Sequence, residues 1–354
     1  MLQFLSYIHN LRGIAILFVI GVHARGGISD WVSHPDTHYF LATFFDAREG
    51  NGTVMFIFIG GFLFQHLTHY HFNFKKYIRQ KFKMIILPYL IISIPIILLR
   101  ITSNYQSLTL PEGFQSTSPV YQFFYHLIVG SHMAPFWFIS TIIIFYFSAP
   151  ALHAIDKPFF YRYIFPFVFI IGLFTFRSDH NSNPFLSYVH FMPIYITGMW
   201  ASYVKQKLMT YAVPGFWILA IIYFSVPVLD YYNLLDLPSK ISFEEVIRER
   251  KLVFNIYAFN SITLCFMLTF LFYRLRNVRM PFIELLGHYS FGLFFIHFIL
   301  ITATRKVFSI MGWSVDFSII TFLIYFIFIL LASTAMVYLI KRITGRYSRN
   351  LIGS

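Results

Sequence analysis

The chain has 354 residues, 58% of them hydrophobic and 12% charged, with a net charge of +13. A soluble domain carries about a quarter charged residues, so this composition excludes an ordinary globular protein and marks a polytopic membrane protein. The single cysteine, Cys265, excludes an internal disulfide and any thiolate metal cluster, and its apolar surroundings predict a small buried thiol.

A span needs about 20 mostly apolar residues, and about ten segments qualify. They run over 4–24, 51–69, 84–101, 133–154, 163–177, 185–204, 211–229, 252–273, 282–303 and 317–340. The expected fold is therefore all-α, a single transmembrane domain over residues 1–354. No cleavage pattern follows the first apolar segment, which predicts an uncleaved helix.

That first span contains LRGIAILFVIGVH, residues 11–23, in which Arg12 and His23 bracket apolar residues and glycine. Eleven residues of helix advance ~16.5 Å and return to within ~20° in azimuth, so the two side chains share a face. Ionisable groups in membranes are costly and usually face the bundle or a cavity. Taken singly, Arg12 can snorkel to headgroups and His23 can be an interfacial histidine; together they suggest an internal polar path. The next segment, Thr37–Arg48, reads as an amphipathic or re-entrant helix, as does Pro119–Gly130 further on.

In QHLTHYH, His66, His69 and His71 lack a nearby acidic ligand, which predicts interfacial histidines and no metal site. Lys75, Lys76, Arg79, Lys81 and Lys83 follow in a short basic run. Arg79 and Lys83, four apart, share a helical face. His132 and Trp137 sit at the start of the fourth span, where Trp137 fits an interfacial belt or packing against a sugar or acyl chain. The acidic and basic segment DLPSKISFEEVIRERK predicts a short, solvated helix at the outer surface. Glu284, near the start of the ninth span, is expected to pair with a loop arginine. In LGHYSFGLFFIH, Ser290 and His297 lie seven apart, ~20° from one another on one face.

Orientation follows from the loops. One set holds 16 Lys and Arg, from Lys75 to Arg349, against two acids, Asp156 and Glu284. The basic side is the cytoplasmic one, and both termini are expected there. The high pI is thus a positive-inside signature with attraction to anionic lipid, and nucleic acid is not an expected partner.

The Arg-x10-His spacing resembles the membrane-bound acyltransferase-three family, which O-acylates sugars and exported polysaccharides. FIFIGGFLF at 56–64, KKYIRQKFKMIILPYL at 75–90, FWFIS at 136–140 and LGHYSFGLFFIH at 286–297 resemble its other motifs in the family's order. The resemblance covers nearly the whole chain. It implies an O-acyltransferase moving an acyl group, acetyl the expected one, from cytoplasmic acyl-CoA to a hydroxyl of a glycan or lipid-linked sugar. In that reading His23 is the general base or a transient acyl carrier, since imidazole titrates near neutral pH. Arg12 orients donor phosphate or pantetheine, or holds the first helix. Lys76, Arg79 and Lys83 supply a phosphate cradle for coenzyme A, alongside their part in topology. Trp137, Ser290 and His297 are the expected substrate-binding residues. The expected setting is the cell membrane, a bacterial inner membrane, and the expected acceptor partner includes a separate extracytoplasmic acyltransferase or glycan-assembly protein. The alternative from another class is a polysaccharide exporter or flippase.

Overall fold

The computed structural model describes residues 5–28, 44, 50–103, 110–232, 234, 243–249, 252–313 and 318–354. Among these residues every regular element is helical and none is a strand. The helices are α1 (Ser6–Ile28), α2 (Asn51–Thr68), α3 (Phe74–Lys81), α4 (Leu87–Thr102), α5 (Pro119–Val129), α6 (Trp137–Phe147), α7 (Ala149–Ala154) and α8 (Phe165–Gly172). They continue with α9 (Pro184–Tyr203), α10 (Lys205–Met209), α11 (Ala212–Tyr231), α12 (Phe243–Glu249), α13 (Ile256–Arg274), α14 (Pro281–Met311), α15 (Ile319–Thr344) and α16 (Ser348–Ile352). A π turn, Phe82–Ile86, joins α3 to α4 without a break.

Six of the described stretches are long and apolar enough to cross a membrane, where about ten were expected. They are α1, α3 through α4, α11, α13, α14, and α15 through α16. The remaining four expected spans differ for identifiable reasons. Helices α2 and α9 have 18 and 20 residues but are less apolar, because they face protein, and their surfaces carry Gly, Ser, Thr and Gln. Residues 133–154 break into α6 and α7 at Ser148, and 163–177 yields one short apolar helix, Phe160–Gly172. Of the two amphipathic segments, Pro119–Val129 is helical, capped by the Ser118 side chain at one end and by Gly130 in the left-handed region at the other. The Thr37–Arg48 segment, apart from Phe44, lies outside the described residues.

Two close helix pairs make the centre. Helices α2 and α9 pack along their lengths, with Gly61 against the Tyr195 carbonyl and Gly198 against the Phe58 carbonyl. A Cβ at either glycine would collide with backbone, which is the close approach that small residues permit between membrane helices. Helices α1 and α14 pair in the same way, Gly13 against Ile283 and Gly287 against His9. Their contacts ascend together, from His9 with Glu284 through Arg12 with Ser290 to His23 with His297, so the two helices run parallel. Around this centre, α4, α11 and α15 expose many of their apolar side chains, as a lipid-facing layer requires.

Polar clamps tie the two ends of the bundle. At one end buried Asn51 donates to Tyr223 and accepts from Ser261, linking α2, α11 and α13. At the other, buried Asp156 accepts hydrogen bonds from His69 at 2.7 Å, Tyr161 at 2.8 Å and Gln65 at 3.4 Å, and Gln65 accepts from Ser202. His69, read in the sequence as an interfacial histidine, is thus the partner of a buried carboxylate. His66 takes a hydrogen bond from Lys205, whose ammonium burial holds below its usual pKa. Glu284 accepts from the backbone N–H of Met280 and helps start α14, where a loop arginine had been expected.

Candidate active site

The shared face of Arg12 and His23 meets α14. Arg12 Nη2 donates to Ser290 Oγ at 2.7 Å, and its guanidinium lies 5.5 Å from the centre of the Phe291 ring. Ser290 is fully buried, so this hydrogen bond satisfies both a charged donor and an enclosed hydroxyl. Further along the same helices, three turns on in α1 and two in α14, the rings of His23 and His297 lie 5.3 Å apart, with Phe298 on another side of His23 at 5.4 Å. Three of the residues singled out in the sequence, Arg12, Ser290 and His297, therefore join His23 along one parallel helix pair.

His297 is fully buried and its Nδ1–H donates to the Leu293 carbonyl at 2.8 Å. That bond fixes the neutral tautomer and leaves Nε2 as an acceptor, for which the described residues provide no partner. His23 differs: it keeps accessible surface and lines a cavity of about 190 Å³. The same cavity is bordered by Trp137, Phe138, Arg177, Asn181 and Phe294. Trp137 stacks on Phe191 at 6.0 Å, and the Arg177 guanidinium sits 5.4 Å from the Trp137 ring. Trp137 and His23 thus line the same cavity. Sequence reasoning missed Arg177, which ends a short apolar segment and carries no motif. The loop around it is held by Arg177 Nη1 on Asn181, by the Phe243 N–H on the Arg177 carbonyl, and by Glu244 on the Asp179 N–H. The polar helix α12 therefore serves as a brace for this side of the cavity.

His132, next to FWFIS in sequence, is not part of the cavity. Its Nδ1–H donates to the His126 carbonyl at 3.0 Å and its ring is fully buried, so it packs as a structural histidine.

The basic run divides in two. Lys75, Lys76, Arg79 and Lys83 are exposed, so Lys76, Arg79 and Lys83 do not join the Arg12 cluster. Lys81 turns inward and lies over two aromatic faces, 5.3 Å from the Tyr77 ring and 5.1 Å from the Tyr146 ring. The residue was counted in the basic run but not singled out. Its signal is Tyr77, four residues earlier on the same helical face, ~200° from Arg79 and Lys83. Arg12 and Lys81 act on each other electrostatically, and Arg12 also acts on Tyr146, His9 and His288.

Among the described residues no group of three or more His, Cys, Asp or Glu side chains is placed to hold a metal ion. The arrangement offers hydrogen-bonding and electrostatic chemistry: a histidine in a cavity at one end of a helix pair, and cations at the other. A family model described as an acyltransferase domain matches residues 5–342, essentially the whole chain. Comparison with curated proteins and with solved structures gave no match.

Proposed function

The chain belongs to the acyltransferase-three family, and from that premise we propose that it is an acyl-CoA-dependent membrane O-acyltransferase. It takes an acyl group, acetyl in this reading, from acyl-CoA on the basic, cytoplasmic side. It delivers that group to a hydroxyl of a glycan or lipid-linked sugar entering the cavity at His23. The observation that carries this reading is the pairing of α1 with α14, which sets cationic Arg12 and cavity-lining His23 along the same helix–helix seam. The two side chains are ~16.5 Å apart along the helix, a separation suited to a donor with an anionic head and a long arm to its thioester.

In the transfer step, the acceptor hydroxyl loses its proton to His23 and its oxygen attacks the thioester carbonyl. The C–S bond breaks, and the proton leaves with the thiol. A base within hydrogen-bond reach supports such a step, typically by 10²–10⁴-fold. His297 stands behind His23 as a neutral ring of fixed tautomer, which orients the base. Trp137 and Arg177 offer an aromatic face and a donor to a sugar ring. Lys76, Arg79 and Lys83, on the exposed face of α3 and its π turn, attract the anionic donor to the surface. Both termini lie on the cytoplasmic side of a bacterial inner membrane in this reading. The ten-span topology is retained in this reading, with α2, α9 and α6–α7 as protein-facing spans and the stretch through α8, which exposes Phe167, Ile170 and Ile171, as a short lipid-facing one. The acylated product or a carrier passes to a separate extracytoplasmic acyltransferase or glycan-assembly protein.

The test is thiol release from acetyl-CoA by the purified full-length protein, with and without a glycan acceptor. Acceptor-stimulated release that disappears in His23→Ala is expected. Transport of a glycan across vesicles with no thioester cleavage would overturn the reading.

A further inference from the structure

The cavity at His23 lies at the end of the bundle away from Arg12, and its charge is one-sided. Among the described residues that line it, Arg177 is the single Lys or Arg, and none is Asp or Glu. Much of the remaining wall is apolar, formed by Val19, Val22, Phe56, Phe138 and Phe294. A guanidinium at such a wall attracts an anion more strongly than it would in open water. Its position is fixed from several sides. The guanidinium lies 5.4 Å from the centre of the Trp137 ring and 5.9 Å from that of Phe191, two rings inclined by only 18°. Stacking over this floor sets the guanidinium plane and turns its N–H groups outward along the edge. Asn181, which lines the same cavity, accepts from Arg177 Nη1 at 3.1 Å. It does so with φ at 54°, and among the described residues no other non-glycine has a positive φ. The Phe243 N–H holds the Arg177 carbonyl, while Glu244 accepts from the Asp179 N–H and so braces the loop backbone. A turn closed through an uncommon conformation onto one cavity-lining arginine points to a task for that arginine.

We propose that Arg177 selects an acidic acceptor: a sugar whose own ring bears a carboxylate, as a uronic acid does. The proposal rests on the reading of this cavity as the acceptor site. A carboxylate is planar and accepts two parallel N–H bonds, which matches the edge of a stacked guanidinium. The group has five N–H donors, so serving Asn181 and a ligand together is compatible with its chemistry. The cavity, about 190 Å³, is smaller than the roughly 300–1,000 Å³ that encloses a drug-sized ligand, so it takes one sugar unit. The charge must then sit on the sugar that receives the acyl group. Anchoring that ring at Arg177, in a cavity that His23 also lines, presents a ring hydroxyl to the base in a fixed orientation. Asn181 is the positioning residue for the guanidinium.

Methyl glucuronide and methyl glucoside, which differ only at C6, separate charge recognition from general sugar binding. Full-length wild type, Arg177→Gln and Asn181→Asp, purified in dodecyl maltoside, are titrated with each sugar and followed by thermal unfolding. Asn181→Asp keeps a residue that tolerates the left-handed turn, and sets a carboxylate of the chain itself against Arg177. The wild type should bind the glucuronide more tightly than the glucoside. Both variants should lose roughly 10- to 100-fold in glucuronide affinity, the scale of a charge-assisted bond, with little change for the glucoside. Equal protection by the two sugars, or none by either, would overturn the proposal. So would a wild-type preference that persists in both variants. Acceptor-stimulated thiol release from acetyl-CoA supplies the kinetic arm, where the glucuronide KM should rise and kcat change less. A kcat loss on both sugars with KM unchanged would instead place Arg177 in the transfer step and overturn its role in selection. Glucose 1-phosphate tests the other source of negative charge, a phosphorylated or lipid-linked sugar. Protection by it, with none by the glucuronide, would overturn the carboxylate assignment. If the wild type cleaves no thioester yet prefers the glucuronide through Arg177, the acidic-sugar site stands and the acyl-CoA reading fails.

Discussion

Arg12 and His23 are expensive residues for an apolar helix, and the contacts each makes explain why they are tolerated. Arg12 spends its charge on a buried hydroxyl and an aromatic face, while His23 borders a cavity beside a second histidine. In the proposed reaction, His23→Ala should lower acyl transfer by about 10²–10⁴-fold while the protein still inserts and binds donor. Acylated glycan at near-normal levels from a His23→Ala strain, with other acyltransferases deleted, would make His23 structural. Arg12→Lys should also impair turnover, because one ammonium does not reproduce the guanidinium fork that reaches Ser290; donor KM and thermal stability measured together separate binding from folding. His297→Phe preserves the ring and removes the nitrogen bonded to Leu293. It should lower kcat by less than His23→Ala does and leave the donor KM unchanged, and steady-state kinetics on both variants checks the order. At this scale the sequence was informative where one helix carried both partners. Arg12 and His23 were legible from their spacing, and Ser290 and His297 from theirs. Lys81 was hidden by its basic neighbours, since a run of lysines does not reveal which one turns inward until the opposing tyrosines are in place.

Helix pairing converts the glycine-containing motifs into structure. FIFIGGFLF places Gly61 against the Tyr195 carbonyl, and LGHYSFGLFFIH places Gly287 against the His9 carbonyl. Between membrane helices the water-driven hydrophobic force is absent, and close backbone approach supplies packing in its place. Gly198→Ala would drive a methyl group into the Phe58 carbonyl. The cost should be about 1–3 kcal/mol, the usual range for overpacking. A lowered unfolding temperature in detergent, with a poorer size-exclusion profile, is the expected observation; wild-type stability would show that α2 and α9 can separate without penalty. The same pairing accounts for two of the four expected spans that are not among the six long, apolar ones. A helix packed against protein on most sides has less need of apolar side chains than one facing lipid. Helices α2 and α9 accordingly carry Gln65, Ser187, Thr197 and Ser202 as buried polar residues.

Across the whole molecule, charge asymmetry and helix direction agree. The parallel course of α1 and α14 puts Arg12, Lys81, His288 and Lys341 toward one end of the bundle, the end that also holds His69, Asp156 and Lys205. Both termini should report a cytoplasmic location in reporter fusions, and an outside signal from either would break this topology. Neutralising Lys76, Arg79 and Lys83 together should raise the donor KM and flatten its salt dependence, because less long-range attraction is left to screen. Unchanged donor kinetics in a correctly inserted triple variant would confine that cluster to topology.

Composition and the length of the apolar runs determined that this chain is a helical membrane protein, because lipid offers backbone groups no water and a run of about 20 apolar residues bonds them within its own helix; among the described residues every regular element is helical. Local spacing determined which face of the first helix is polar, since helical periodicity is a property of neighbours in sequence. The partners of that face were decided by tertiary structure. His23 meets His297 across 273 intervening positions of sequence, Lys81 meets Tyr146, and Arg177 meets Trp137. These contacts depend on which helices pack together and at what rotation. That choice is set by the fit of glycines, aromatic rings and backbone carbonyls between helices, which no single segment contains.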